Sequence, residues 1–280
     1  MHPELFHVGP VHIRSYGLML AISFLLGVLY IWRVARRDGK PFEPLLTVAY
    51  LMTIGGIIGA RLFYVLVHLD EFSGNWTRTF NPFSSSEFGI AGLNLYGGVL
   101  AAIVASFVYL RAKKLSVLDT FDYFAPTLGL GLLFTRVGCF LNGCCFGTPT
   151  ELPWGISFPE GSLPYYIFSD AHLHPAQLYS SLYGGLLLIA LHYVLRHRRF
   201  VGQAVALLFM IEAGFRYAIE YVRYYEDEMH LTVGSMHPTY NQLVSLGLFV
   251  LGLGLYLYQR RRAPLSRAAA PPAGKLRPAK

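Results

Sequence analysis

The chain has 280 residues, 54% of them hydrophobic and only 14% charged, against about 25% charged in an ordinary soluble domain. That composition excludes a disordered chain and argues against a water-soluble globule, and three cysteines are too few for a disulfide scaffold. A net charge of +7 would suit nucleic acid only if the basic residues lined an exposed groove; they stand instead in short clusters between apolar runs, which leaves a polytopic membrane protein with no nucleic-acid partner.

Crossing the roughly 30 Å hydrocarbon core takes about 20 mostly apolar residues, because every backbone polar group must be bonded within the segment. Seven stretches qualify: Tyr16 to Val34, Pro44 to His68, Gly92 to Leu110, Phe121 to Phe146, Gln177 to Leu195, Val201 to Val222 and Tyr240 to Tyr258. The expected fold is thus an all-α integral membrane protein of seven transmembrane helices. A signal peptide is the rival reading of the first stretch, but no small-residue cleavage site follows it, and Arg33, Arg36, Arg37 and Lys40 lie just beyond.

Lys and Arg beside spans stay preferentially on the cytoplasmic side. Of the 23 present, seventeen follow spans one, three, five and seven. Arg14, Arg78 and Arg223 fall on the opposite face, and Arg61, Arg136 and Arg216 lie within spans. The N-terminus is therefore expected outside and the C-terminus cytoplasmic. Residues 1 to 262 form the membrane domain, with outward loops 69 to 91 and 147 to 176 rich in Gly, Pro, Ser and aromatics. Residues 263 to 280, mostly Ala, Pro, Arg and Lys, read as a flexible basic cytoplasmic tail, and no internal repeat is visible.

An ionisable residue within a span costs roughly 2.5 to 3.5 kcal/mol, so it usually has a partner or a task. At about 1.5 Å rise per residue, Arg61, Arg136 and Arg216 all fall in the outer half of the bilayer, which suggests an anion site. Glu212, Arg216, Glu220 and Arg223 are spaced to share one helix face, so mutual neutralisation, Glu220 with Arg223 included, is an open alternative. Arg136 has no acid at helical spacing in its span, and a guanidinium holds a phosphodiester with two parallel hydrogen bonds. The outward ends also carry Tyr16, Tyr96 with Gly97 and Gly98, Asn142, His174, Gln177, Asn241 and Gln242. Tyr16 and Tyr96 could equally be interfacial anchors.

Together these residues resemble the prolipoprotein diacylglyceryl transferase family over nearly the whole chain. Tyr16-Gly17-Leu18 matches the family's opening of the first span. Thr135-Arg136-Val137-Gly138-Cys139-Phe140-Leu141-Asn142-Gly143-Cys144 is similar to the signature of the fourth, and Gly147 matches a further family glycine. His174 to Tyr179 is similar to the His-Pro-x-Gln-Leu-Tyr motif. Phe215, Arg216, Glu220, Tyr221 and Arg223 match the sixth span, and Gln242 with Ser245 the seventh. Four positions depart: Tyr96 stands where the family has a His put forward as catalytic base, Cys139 and Cys144 stand for the signature's Asn and Glu, and Glu212 stands for a tyrosine four residues before the sixth-span Arg.

The resemblance implies transfer of the sn-1,2-diacylglyceryl group from phosphatidylglycerol to the lipobox cysteine of a preprolipoprotein, in the bacterial inner membrane, with glycerol phosphate released. It implies catalytic roles for Arg136, Arg216 and Tyr96, and substrate binding by Tyr16, Gly97, Gly98, Asn142, Gly147, His174, Gln177, Glu220, Arg223 and Gln242. The partners are phosphatidylglycerol, lipobox segments and membrane lipids, and neither a metal nor an organic cofactor is required. Cys139, Cys144 and Cys145 have the spacing Cys-x4-Cys-Cys, unlike the usual zinc pairs, so packing is expected of them, with a disulfide as alternative. Two other functions stay open: a paralogue using another lipid or acyl acceptor, such as a membrane acyltransferase with an enzyme thiol, and a carrier of an anionic lipid or metabolite.

Overall fold

The structure, a computed structural model that describes residues 1–8, 11–72, 92, 94–225 and 238–268, forms a helix at each of the seven apolar stretches. A hairpin of β1 (Glu4–Val8) and antiparallel β2 (Val11–Arg14) leads into α1 (Ser15–Arg37). There follow α2 (Phe42–Val67), the single turn α3 (Leu69–Phe72), α4 (Leu95–Ala112), α5 (Val117–Asn142), the short α6 (Leu163–Phe168), α7 (Ala176–His197), α8 (Gln203–Ile219) and α9 (Tyr240–Ala268). Five of them, α1, α2, α5, α7 and α9, are long and apolar enough to cross a membrane, whereas α4 is a shorter apolar helix and α8 has 17 residues. Side chains such as Leu25, Leu66, Leu182 and Ile189 are each about two-thirds exposed along these helices. So broad an apolar outer surface needs lipid as its solvent.

Two helices stop before their apolar patterns do. α5 ends at Asn142 rather than Phe146 because Gly143 adopts a left-handed φ of 78° and its N–H bonds back to Phe140 O. α8 ends at Ile219 rather than Val222, since the chain beyond it pairs sideways: Thr148 N donates to Val222 O and Tyr224 N to Phe146 O. In the other direction, α9 runs to Ala268, into the segment expected as tail. Residues 269–280 and the 73–91 part of the first outward loop lie outside the described residues.

Helices associate through close approach of small residues, the main device open to them in lipid. A Cβ at Gly129 would stand 2.5 Å from Leu188 N, and one at Gly184 2.6 Å from Leu133 N, so α5 and α7 touch backbone to backbone. α2 and α4 do the same where Gly97 and Gly98 face Gly59 O and Gly56 O. At one end of the bundle the fully buried Asp122 of α5 accepts from Gly202 N and Val205 N, capping α8, whose own N-cap is a glycine without a side chain to do so. Arg198 holds Asp122 and Asp119, and Lys40 joins Asp119, tying the end of α1, the start of α5 and the end of α7. The opposite end collects the starts of α1, α7 and α9 with the ends of α5 and α8. Buried Phe146, Phe158 and Leu173 pin the 147–176 segment there.

Candidate active site

The end of α5 supplies the first group. Gly138 lets α1 approach closely, since a Cβ there would meet Tyr16 Cα at 3.1 Å. Tyr16 is thereby set within electrostatic reach of Arg136 and of all three cysteines. Arg136 is partly exposed and makes no hydrogen bond or ion pair among the described residues. Cys139, near the end of α5, and Cys144 and Cys145, beyond the Gly143 turn, bring their sulfurs within 4.8 Å of one another as free thiols, and the Cys144 thiol donates to Cys139 O at 3.7 Å. The Arg223 and Arg136 guanidiniums lie within electrostatic reach of Cys145.

The start of α7 closes over this turn. Gln177 is fully buried; its Nε2 donates to Cys144 O at 2.9 Å, while its Oε1 has no partner. Gly147 is wedged between the His174 and Val222 segments, its N–H on His174 O, and a Cβ would lie 2.5 Å from Val222 O. His174 in turn stands 3.3 Å from the Tyr179 hydroxyl, which accepts from Trp154 Nε1.

Glu220 organises the end of α8. Its carboxylate, with no exposed side-chain surface, takes an ion pair from Arg216 at 3.2 Å and hydrogen bonds from Tyr225 at 2.6 Å, Thr239 at 2.7 Å and Asn241 at 3.3 Å. Gln242 completes the start of α9: its Oε1 accepts from Thr239 N and its N–H donates to Thr239 Oγ1, a capping box. The proposed pairing of Glu220 with Arg223 does not form, because α8 ends at Ile219 and Arg223 lies on the turn bridged to Gly147. Arg223 instead sits over the Tyr225 ring at 5.0 Å, and its buried Nε has no partner. Burial pushes the Tyr225 phenol up to about 12, with Arg223 opposing and the Glu220 carboxylate adding, so at neutral pH the phenol keeps its proton and donates it to Glu220. Glu212 accepts from Tyr183 at 2.8 Å and lies within electrostatic reach of both Arg136 and Arg216.

A continuous group therefore links Tyr16, Arg136, the cysteines, Gln177, Arg223, Tyr225, Arg216 and Glu220. Tyr96, Gly97, Gly98 and Arg61 stand apart from it. Tyr96 opens α4 with 61% of its surface exposed, held by Asn94, whose side chain accepts from Tyr96 N and Gly97 N. Gly97 and Gly98 are buried against α2. Arg61, 5% exposed, donates to Gly92 O and lies over the Tyr64 and Phe72 rings, in this second group rather than with Arg136 and Arg216. One member of the main group and one residue beside it had no signal in the sequence: Tyr225 sits in a turn outside any periodic stretch, and Tyr183 reads as one more apolar aromatic until its hydroxyl meets Glu212.

Comparison with known proteins bears on this arrangement as a whole. A family model described as prolipoprotein diacylglyceryl transferase matches residues 3–258. The chain is 34% identical to a phosphatidylglycerol–prolipoprotein diacylglyceryl transferase of Idiomarina loihiensis, over 94% of each chain. It is 29% identical to one of Clostridium tetani, covering 94% of this chain and 99% of the relative, and 31% identical to one of Nitratidesulfovibrio vulgaris, covering 96% and 97%. Matches of that extent take in the hairpin, the seven long helices and every residue of the arginine group, and on them the chain belongs to the prolipoprotein diacylglyceryl transferase family.

Proposed function

We propose that this chain transfers the diacylglyceryl group of phosphatidylglycerol to the lipobox cysteine thiol of a prolipoprotein, forming a thioether and releasing glycerol phosphate. In this reading all seven long helices cross the bacterial inner membrane, with the N-terminus and the arginine group outside. The observation that carries it is the pair of uncommitted guanidiniums at one end of an apolar bundle: Arg136 without hydrogen bond or ion pair among the described residues, and Arg223 with a buried, unpartnered Nε. A lipid phosphodiester supplies the acceptors that both lack.

The reaction breaks the bond between a glycerol carbon and a phosphate oxygen, so negative charge gathers on the leaving phosphate. Preplaced Arg136 stabilises that charge more strongly in a dry site than in water. Arg216 is oriented for the same task by Glu220 and Tyr225. The thiol enters as the thiolate, the nucleophilic form. The test is conversion of a lipobox peptide by purified protein in phosphatidylglycerol micelles, read by the mass of the lipidated peptide. Arg136→Gln and Arg216→Gln should abolish turnover while leaving the protein inserted and extractable. Full activity of either variant would remove the phosphate-clamp reading, and a product carrying one acyl chain in place of diacylglyceryl would make the protein an acyltransferase.

A further inference from the structure

The spacing Cys-x4-Cys-Cys argues against a metal site along a regular helix, but only Cys139 is on one. α5 stops at Gly143, and Cys145 itself adopts a left-handed φ of 61°, a conformation disfavoured for a residue with a Cβ. That double turn folds Cys144 and Cys145 back onto Cys139 until the three sulfurs lie within 4.8 Å of one another. A tetrahedral zinc ion with bonds of about 2.3 Å sets its thiolates about 3.8 Å apart, which small rotamer changes reach from this arrangement. Packing alone would not require three thiols to converge on one point, and a disulfide would use only two of them.

No His, Asp or Glu joins the three among the described residues, so the protein supplies three ligands and leaves the fourth position open, as catalytic zinc sites do. Two neighbours indicate what happens there. The fully buried Gln177, bonded through Nε2 to Cys144 O, has an unpartnered Oε1 beside the cluster, ready to accept from a backbone N–H of the segment that carries the bound thiol. Arg136 and Arg223, both within electrostatic reach of Cys145, offset the net negative charge that three thiolates leave around a divalent cation.

We propose that Cys139, Cys144 and Cys145 bind one Zn(II) ion whose open position takes the incoming lipobox thiol. The second clause rests on the diacylglyceryl-transfer reading above. On binding, the thiol releases its proton to water and stays a nucleophilic thiolate at neutral pH, which meets the need for deprotonation in a chain with Tyr96 where a histidine base would stand. Its sulfur forms the bond to the glycerol carbon while the carbon–oxygen bond breaks. The electron pair departs on the phosphate oxygen of glycerol phosphate, beside Arg136.

The test uses the full chain in detergent, stripped of metal and titrated with Co(II) in the absence of phospholipid. One Co(II) per chain with a sulfur-to-cobalt charge-transfer band in the near ultraviolet is expected, bleached by Zn(II). Cys139→Ser and Cys145→Ser should each lose the band while keeping the wild-type elution volume. Adding a lipobox peptide should intensify the band, and the same peptide with Ser for its Cys should not. Absence of the band in the wild-type chain, or a disulfide among the three cysteines in protein freshly isolated from membranes, overturns the site. An unchanged band on adding lipobox peptide overturns the open-position role. The two readings fail separately: a Co(II) band without diacylglyceryl transfer sinks the activity and keeps the metal, whereas undiminished transfer by metal-free Cys139→Ser protein sinks the metal and keeps the activity.

Discussion

Tyr96 is the residue on which the assignment of chemistry turns, because the resemblance sets it at the family's histidine position, yet it stands exposed on α4, in the group with Arg61. A role through its hydroxyl makes Tyr96→Phe roughly 100-fold slower, the scale acid–base groups contribute, and makes Tyr96→His active. Wild-type rates in the Phe variant would return it to the aromatic belt. Glu220 has a firmer assignment, since four side chains converge on one buried carboxylate. Glu220→Ala leaves Arg216 without its ion-pair partner and three donors without an acceptor, a loss of about 3–5 kcal/mol. Unfolding in detergent should show it as a clear fall in midpoint, and Glu220→Gln, which keeps the shape and one acceptor oxygen, should fall less.

At the level of elements, the α5–α7 contact holds the cysteine turn under Gln177, and it depends on two glycines whose neighbours are backbone atoms that cannot move aside. Gly184→Ala puts a methyl 2.6 Å from Leu133 N and 2.8 Å from Gly129 O. Separating the helices should cost about 1–3 kcal/mol, read as a lowered thermal midpoint in detergent. Gly131→Ala, two residues along α5 with nothing within 4 Å of the added methyl, should leave that midpoint unchanged or slightly raised. Equal effects of the two substitutions would mean that helix propensity and not interhelical packing sets the response.

For the whole molecule, the polar groups divide between two ends. Arg198, Lys40 and the aspartates of α5 lock one end, and the arginine group with the cysteines occupies the other. In the proposed orientation the excess of Lys and Arg beside the first end faces the cytoplasm. A reporter active only in the exported compartment should therefore be silent when fused after Arg262 and active when inserted in the exposed 151–153 turn. The reverse pattern would invert the molecule and place the arginines where no exported lipobox could meet them.

The helices were legible in the chain because an apolar stretch satisfies its backbone locally, and five of the seven are long and apolar enough to meet the demand that lipid makes. The charged residues within the helices were legible too, since Arg136, Arg216 and Glu220 are conspicuous in an apolar setting. Which charge neutralises which was not. Helical spacing allows Glu220 to pair with either Arg216 or Arg223, and only the end of α8 at Ile219, forced by backbone bonds from Phe146 and Thr148 far away in the chain, decides between them. The same holds for Cys139, Cys144 and Cys145, whose spacing on a helix would scatter them and whose left-handed turn gathers them. Sequence alone determined what lipid and local hydrogen bonding require of each segment; partners brought together across many residues, and the groups left without any, were decided by the tertiary structure, because contact energies act through space and the turns that set them leave little trace in local composition.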